Sequence, residues 1–296
     1  MRVLLFGANG FLGAPVRERL AAEAGVEVLT GGRSPLADVR ADLATVGADA
    51  LAELVRRASP HAVINCTGAT SGDAPALVAA NVIAVATLAN AVLRGAPSAR
   101  LVHFGSAGEY GRVTPGEATT EATPARPQVP YGVTKLAGTE ILRSAREHDG
   151  LDAVVLRVFN PVGPDAPAST LPGRLARELR LAAGPVTVGP LDAYRDFVDT
   201  RDVADAAVRV ALASGGLPAV LNVGTGKAVL LRDLAKELTA LAGEGAEIAE
   251  TGSGSERSSD VPWQQADISA IRAATGWAPR RALSTSLLDL WLGGRA

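Results

Sequence analysis

Val3-Leu-Leu-Phe-Gly7-Ala-Asn-Gly10-Phe-Leu-Gly13 opens the chain with a short apolar run that stops at a glycine and passes into a helical pattern over Phe11–Glu23. The glycines are spaced GxxGxxG. Gly7 permits a tight turn, Gly10 lets backbone approach a pyrophosphate, and Gly13 lets the helix lie close on the strand. Asn9, Phe11 and Leu12 complete the turn as candidate cofactor-binding positions. Phosphates would then face the positive end of the helix. Alone the motif is weak; between an apolar strand and an apolar helix it reads as a dinucleotide site.

Strand and helix patterns alternate outward from that turn. Val26–Thr30, Ala62–Cys66, Leu101–Gly105 and Asp152–Phe159 read as strands; 49–58, Pro75–Arg94 and the segment after Tyr131 read as helices. The expectation is an α/β fold, a doubly wound parallel sheet of the Rossmann type covered on both faces. Residues 1–160 form the nucleotide-binding domain, and the chain returns to it at about 190–225. Beyond Asn160 proline and glycine become frequent, with helices at 173–183, 202–213 and 231–242 and short strands near 186–188 and 220–223. Residues 161–296 are expected to form mainly a smaller, discontinuous α/β substrate lobe. The 111–130 and 252–262 stretches read as loops placed to cover a cleft.

Bulk properties narrow the partners. A net charge of −2 over 296 residues, without basic runs, argues against nucleic acid. The lone Cys66 excludes an internal disulfide and fits a reducing, cytoplasmic setting. Three dispersed histidines (His61, His103, His148) make a metal site unexpected, and His103, inside a strand, reads as a packing residue. No apolar run is read as a membrane span, and MRVLLFGANG is a strand entering a turn rather than a leader.

Only three lysines and three tyrosines occur, and one of each falls in Tyr131-Gly-Val-Thr-Lys135. On a helix over 131–149 the i,i+4 spacing puts phenol and ammonium on one face. The nearby ammonium lowers the tyrosine pKa, as a proton donor to a carbonyl requires.

NAD-selective folds carry an acid at the end of the second strand to bind the ribose hydroxyls. Here that strand ends Leu29-Thr-Gly-Gly-Arg33-Ser34, with no acid, and Arg33 suits a 2′-phosphate; NADP(H) is therefore expected over NAD(H). Asp42 and Leu43 suit the adenine edge and face. Cys66-Thr67-Gly68 closes the fourth strand beside the pyrophosphate and ribose, with Cys66 read as a small packing residue.

Together these residues resemble the extended short-chain dehydrogenase/reductase family, in its nucleotide-sugar epimerase/reductase branch. The resemblance implies a catalytic set of Ser106 in Phe104-Gly-Ser-Ala-Gly-Glu-Tyr-Gly111, Tyr131, Lys135 and a supporting Asn81. Ser106 lies twenty-five positions before Tyr131, the branch's spacing. In the family the tyrosine protonates a carbonyl oxygen as hydride arrives, the lysine holds the cofactor ribose, and the serine binds the same oxygen. By the same resemblance Phe159 lies near the nicotinamide and Asn160 near a substrate diphosphate. Arg195 in Arg195-Asp-Phe-Val-Asp-Thr-Arg-Asp202 and Arg257 in Arg257-Ser-Ser-Asp260 would bind phosphate, and Asp260 the nucleotide ribose. The bland alternative pairs Arg195 with Asp196 and Arg257 with Asp260. Trp277 and Trp291 read as core anchors.

Relatives that eliminate water carry an Asp-Glu pair directly after the serine or threonine; here Ala107 and Gly108 stand there, so dehydration is disfavoured. Cys66 and the histidines do not match the positions used by 3,5-epimerising reductases. The similarity is strongest to reductases of GDP-4-keto-6-deoxy-mannose and implies NADPH-dependent reduction of a nucleotide-linked 4-ketosugar. The alternatives are a polyketide or other secondary-metabolite ketoreductase, a nucleotide-sugar 4-epimerase, or an NADP-binding regulator without turnover. The helices beginning near Pro75 and Tyr131 lean toward a homodimer, because Leu77, Val78, Val85, Leu88 and Val92 are more apolar than one sheet face requires; buried core accounts for them nearly as well.

Overall fold

In the computed structural model, which describes residues 1–181, 184–251 and 261–293, the opening apolar run becomes β1 (Arg2–Phe6) at the centre of a seven-stranded sheet. The other six strands are β2 (Glu27–Gly32), β3 (Val39–Arg40), β4 (Ala62–Asn65), β5 (Arg100–Ser106), β6 (Ala153–Val158) and β10 (Val220–Val223). Their order is β10-β6-β5-β4-β1-β2-β3, and all pairs are parallel. The chain runs to one edge from β1 and then reverses across it. A ligand crevice therefore opens at the carboxyl ends of β1 and β4.

Side chains of successive strand residues point to opposite faces, which divides the core in two. Val3 and Leu5 join Ile64, Val102 and Val154 under α1 (Gly13–Ala21), α7 (Thr200–Leu212) and α9 (Ser269–Thr275). Leu4 and Phe6 join Val63, Leu101 and Val155 under α2 (Ala48–Ala58), α4 (Ala84–Gly95) and α5 (Pro130–Asp149). Burial on both faces explains the unbroken apolar runs that betrayed these strands.

The helix over Ala74–Gly95 is not uniform. Asp73 caps α3 (Ala74–Val78) by accepting from Ala76 N at 3.0 Å, and a π-turn at Ala79–Ile83 separates α3 from α4. This helix corrects the expectation about membrane-length runs: it has 22 residues and an 18-residue window of mean hydropathy 2.1. Leu77, Val85, Leu88 and Val92 are buried within the chain, so they form core rather than a dimer face; Val78, Ile83 and Val133 are the exposed apolar residues of these helices.

A third core cluster belongs to the smaller lobe. It gathers α6 (Leu171–Leu181), α8 (Leu231–Ala242) and α10 (Leu283–Gly293) around Leu175, Leu234, Leu287 and Trp291. β7 (Asn160–Val162), β9 (Tyr194–Asp199) and β11 (Ala228–Leu230) form one small sheet, and β8 (Val186–Val188) pairs with β12 (Ile248–Glu250) in another. Trp277 is buried and donates its indole N–H to Asp202 O at 3.1 Å, so it is the core anchor expected of it.

Residues 111–129 contain no helix or long strand, yet they are tied down. Asn222 donates its amide to Thr119 O at 2.9 Å, Glu121 accepts from Asn222 N at 2.7 Å, and Trp263 donates its indole N–H to Glu117 O at 2.9 Å. This loop is thus fastened both to the sheet edge and to the segment that follows residue 260.

Candidate active site

The glycine turn is built for close backbone approach. Gly7 has φ 79°, where a side chain is strained, and its N–H bonds Gly31 O across the strands at 3.3 Å. A Cβ on Gly13 would overlap the Gly7 carbonyl, so only glycine lets α1 start this near β1. Asn9 and Gly10 are exposed at the turn while Phe11 and Leu12 are half-buried behind it. Arg17, a residue the motif reading passed over, donates to Asn9 Oδ1 at 2.9 Å and adds a positive charge beside the helix end. The cradle fits a dinucleotide pyrophosphate.

At the second strand the fold refines the sequence reading. β2 runs on through Gly31 and Gly32 because a Cβ at Gly31 would lie 2.5 Å from the Phe6 ring, so this position holds no side chain. Arg33 is exposed, with no hydrogen bond or ion pair among the described residues. No acid stands at the end of β2, as expected. Asp38 arrives from the β2–β3 turn and accepts from Thr30 N at 2.8 Å and Thr30 Oγ1 at 2.9 Å, which holds its carboxyl below the usual range. Asp42 accepts from Ala44 N at 3.1 Å, closing a local turn, and Leu43 is buried. At the end of β4, burial pushes the Cys66 thiol up, which suits a packing role. Thr67 is half-buried and donates both its N–H and its hydroxyl to Asn65 Oδ1, at 3.0 and 2.7 Å.

Ser106, Tyr131 and Lys135 converge from β5 and the first turns of α5. A Cβ built on Gly108 would lie 3.3 Å from Ser106 Oγ and 3.5 Å from Tyr131 Cε1, so serine and tyrosine flank one small gap that glycine keeps open. On the other side, a Cβ on Gly68 would lie 3.0 Å from Asn81 Oδ1 and 3.7 Å from Lys135 Nζ. Lys135 is buried and donates to Phe104 O, with His103 Nε2 3.4 Å away. Burial lowers its pKa to about 8, partly countered by the negative charge of Glu109. Ser106 Oγ accepts from Gly108 N at 3.1 Å, so it does cap the following turn; its hydroxyl proton still has no acceptor among the described residues.

Asn81 does not reach the cleft. It is 1% exposed, its Oδ1 accepts from Ala69 N at 2.9 Å, and its Nδ2 donates to Ala69 O at 2.9 Å and Thr134 Oγ1 at 3.1 Å. Thr134 in turn donates to Tyr131 O at 3.0 Å. Asn81 therefore ties the loop after β4 to the start of α5.

A layer beneath the site was missed although its signal was present: Ser106-Ala-Gly-Glu109 is a capping box. Glu109 is fully buried and accepts from Ser106 N at 2.8 Å, Thr139 Oγ1 at 2.8 Å and Arg157 Nε at 2.8 Å. The one carboxylate of this turn is thus locked inward, and Ala107 and Gly108 beside it carry none.

On the substrate side, Phe159 is 1% exposed, with its ring 6.3 Å from that of Tyr110. Asn160 spends its Nδ2 on Asp196 O at 3.0 Å and Gln264 Oε1 at 3.2 Å. Arg195 is 4% exposed and donates to Tyr194 O at 2.7 Å; burial lowers its pKa to about 10. Its neighbour Asp196 accepts from Thr225 N, Gly226 N and Ala266 N, at 2.7, 2.9 and 3.0 Å, from the opposite side of the strand. Arg257 and Asp260 lie outside the described residues.

A parallel sheet of this order, a glycine turn at its switch point and a Ser/Tyr/Lys set beside it define an NAD(P)-dependent oxidoreductase of the extended short-chain class. The chain belongs to the NAD dependent epimerase/dehydratase family, whose model matches residues 3–224. It is 36% identical over 302 residues to a dTDP-6-deoxy-L-talose 4-dehydrogenase (NAD(P)(+)) of Kitasatospora kifunensis, covering 98% of this chain and 94% of that one. It is 28% identical over 239 residues to a GDP-6-deoxy-D-mannose reductase of Pseudomonas aeruginosa, covering 77% and 78%. Among solved structures, RMD from Pseudomonas aeruginosa complexed with NADPH superposes with a TM-score of 0.86 at 26% identity, over 100% of this chain and 99% of that one.

Proposed function

We propose that the protein is an NADPH-dependent reductase of the 4-keto group of a nucleotide-linked 6-deoxysugar. The observation that carries the chemistry is the gap at Gly108 with Ser106 Oγ and Tyr131 on its rim. A ketone oxygen seated there would meet the Ser106 hydroxyl, with the edge of the Tyr131 ring bordering the same gap. The similarity to a 4-dehydrogenase and a reductase of nucleotide 6-deoxysugars supports the substrate class.

Gly7, Gly10, Gly13, Arg17 and Arg33 would hold the dinucleotide, and bound nicotinamide supplies a hydride to the carbonyl carbon. Tyr131 passes its proton to the carbonyl oxygen. Ser106 donates its hydroxyl proton in a hydrogen bond to the same oxygen and stabilises the charge that develops on it. Lys135, on the same helix face one turn later, favours the tyrosinate left behind. Exposed Arg33, beside a Gly31 that has no room for a ribose-binding acid, favours the 2′-phosphate of NADPH. Arg195 and Arg257 remain the candidates for the substrate diphosphate, and dimerisation is proposed through the helices bearing Val78, Ile83 and Val133.

The test offers purified protein NADPH with 4-keto-6-deoxy sugars linked to dTDP, GDP, UDP and CDP, following loss of cofactor absorbance. Stoichiometric oxidation with at least one substrate is expected. Inactivity with all four overturns the substrate class, and interconversion of 4-epimers without net NADPH use overturns reduction in favour of epimerisation. Turnover of a phosphate-free ketone that nucleotide diphosphates do not inhibit would assign a secondary-metabolite ketoreductase instead.

A further inference from the structure

The geometry points to His103 as a positioning residue that acts through Lys135: a buried Asn65–His103 pair fixes the imidazole tautomer and thereby weakens the lysine's hold on its proton. The inference rests on Tyr131 and Lys135 being the reacting pair, but its first test does not.

Asn65 and His103 are register partners on β4 and β5, each 1% exposed. Asn65 Oδ1 accepts from Thr67 N at 3.0 Å, and a backbone N–H can only donate, so the amide cannot be turned over. Its Nδ2 therefore faces His103 Nδ1, at 3.1 Å. An amide nitrogen also only donates, so Nδ1 must present its lone pair and the ring proton must sit on Nε2. That Nε2–H points at Lys135 Nζ, 3.4 Å away. An ammonium there meets a donor with its own donors; a neutral amine offers a lone pair that accepts it. The histidine thus favours the lysine form that has given up a proton.

The surroundings leave this effect legible. Lys135 is faced by His103 and the Phe104 carbonyl from β5, by Glu109 from the turn after β5, and by uncharged Asn81 and Gly68, while Tyr131 lies one turn before it on its own helix. Only the Glu109 charge opposes burial in setting its proton affinity. On His103, burial and then the Lys135 charge disfavour protonation, outweighing a smaller opposing effect of the Asn65 backbone, so its pKa lies well below the ordinary value. When Tyr131 has given its proton to the substrate, Lys135 can return one to the tyrosinate, and the resulting amine accepts from Nε2–H before recovering a proton from water.

Two measurements test this. Nitrogen-15 NMR of the whole protein, which has three histidines, reads the tautomer of each ring directly. His103 should show the Nε2–H form and no titration from about pH 5 to 9. An Nδ1–H form, or titration near the ordinary value of 6.5, overturns the inference whether or not a substrate is known. The second uses Asn65→Asp, whose carboxylate keeps the Thr67 bonds but accepts from Nδ1–H and so reverses the tautomer, and His103→Leu, which removes the opposing proton. Both should move the alkaline limb of kcat/KM for ketone reduction upward by about one pH unit. A uniform fall in kcat with an unmoved limb in both variants means a merely structural pair and overturns it.

Discussion

The Glu109 carboxylate and the Arg157 guanidinium meet at 2.8 Å with side chains 0% and 4% exposed, directly beneath the turn that carries Ser106. Arg157 also lies over the Tyr110 ring, 4.6 Å from its centroid. Glu109→Ala leaves that guanidinium buried without its partner and should cost about 3–5 kcal/mol of stability. Urea denaturation checks it, and the double variant Glu109→Gln/Arg157→Met should recover most of the loss.

Tyr131→Phe should lower kcat for ketone reduction by about 10²–10⁴-fold while leaving the dissociation constant for NADPH nearly unchanged. Stopped-flow turnover and fluorescence titration separate the two. Comparable activity in the variant would remove Tyr131 as proton donor.

Lys135 has a folded-state pKa of about 8 against 10.5 for an ordinary lysine, chiefly through burial. Between those values the unfolded chain binds a proton that the folded chain lacks, so this group's contribution to stability rises with pH across the window. Below it, keeping the buried ammonium charged costs on the order of 3 kcal/mol. Lys135→Met should therefore gain on the wild type in melting temperature at pH 7 by more than at pH 10, while abolishing turnover. A difference that does not vary with pH would contradict the burial effect.

Arg33→Ala should weaken NADPH binding by about tenfold and leave NADH binding unaffected. Gly31→Asp, which installs the missing acid, should destabilise the fold because its Cβ would sit 2.5 Å from the Phe6 ring. Paired with Phe6→Ala it should fold and shift preference toward NADH. Calorimetric titration of both cofactors reads each outcome.

The glycine turn, the central strands and the Tyr131–Lys135 spacing were legible because local rules dictate them: apolar runs in a doubly buried sheet, glycine at a crowded turn, and helical periodicity. Glu109 was legible too, through its capping box, but attention fell on Ala107 and Gly108, the two positions before it, where a dehydratase pair would stand. Asp38 was invisible because its carboxylate reaches β2 only when the turn folds back. The short strands β7, β9, β11 and β12 escaped since their partners are supplied by distant segments. Leu77, Val85, Leu88 and Val92 read as core or as a dimer face with equal ease, because a helix packed on sheet and neighbouring helices is apolar around much of its girth; their burial decides for core. His103 was rightly placed inside, but its partners on β4 and α5 are visible only in three dimensions.

The π-turn at Ala79–Ile83 inserts an extra residue's worth of backbone into an otherwise α-helical stretch, and Asn81 sits in its middle. Helix faces before and after it therefore follow different phases. Removing one residue between 79 and 83 would let the rod straighten, yet would swing the Asn81 amide away from Ala69 by about 100°. The apparent irregularity is thus what lets one continuous rod serve two masters, the sheet along one half and the reaction centre along the other.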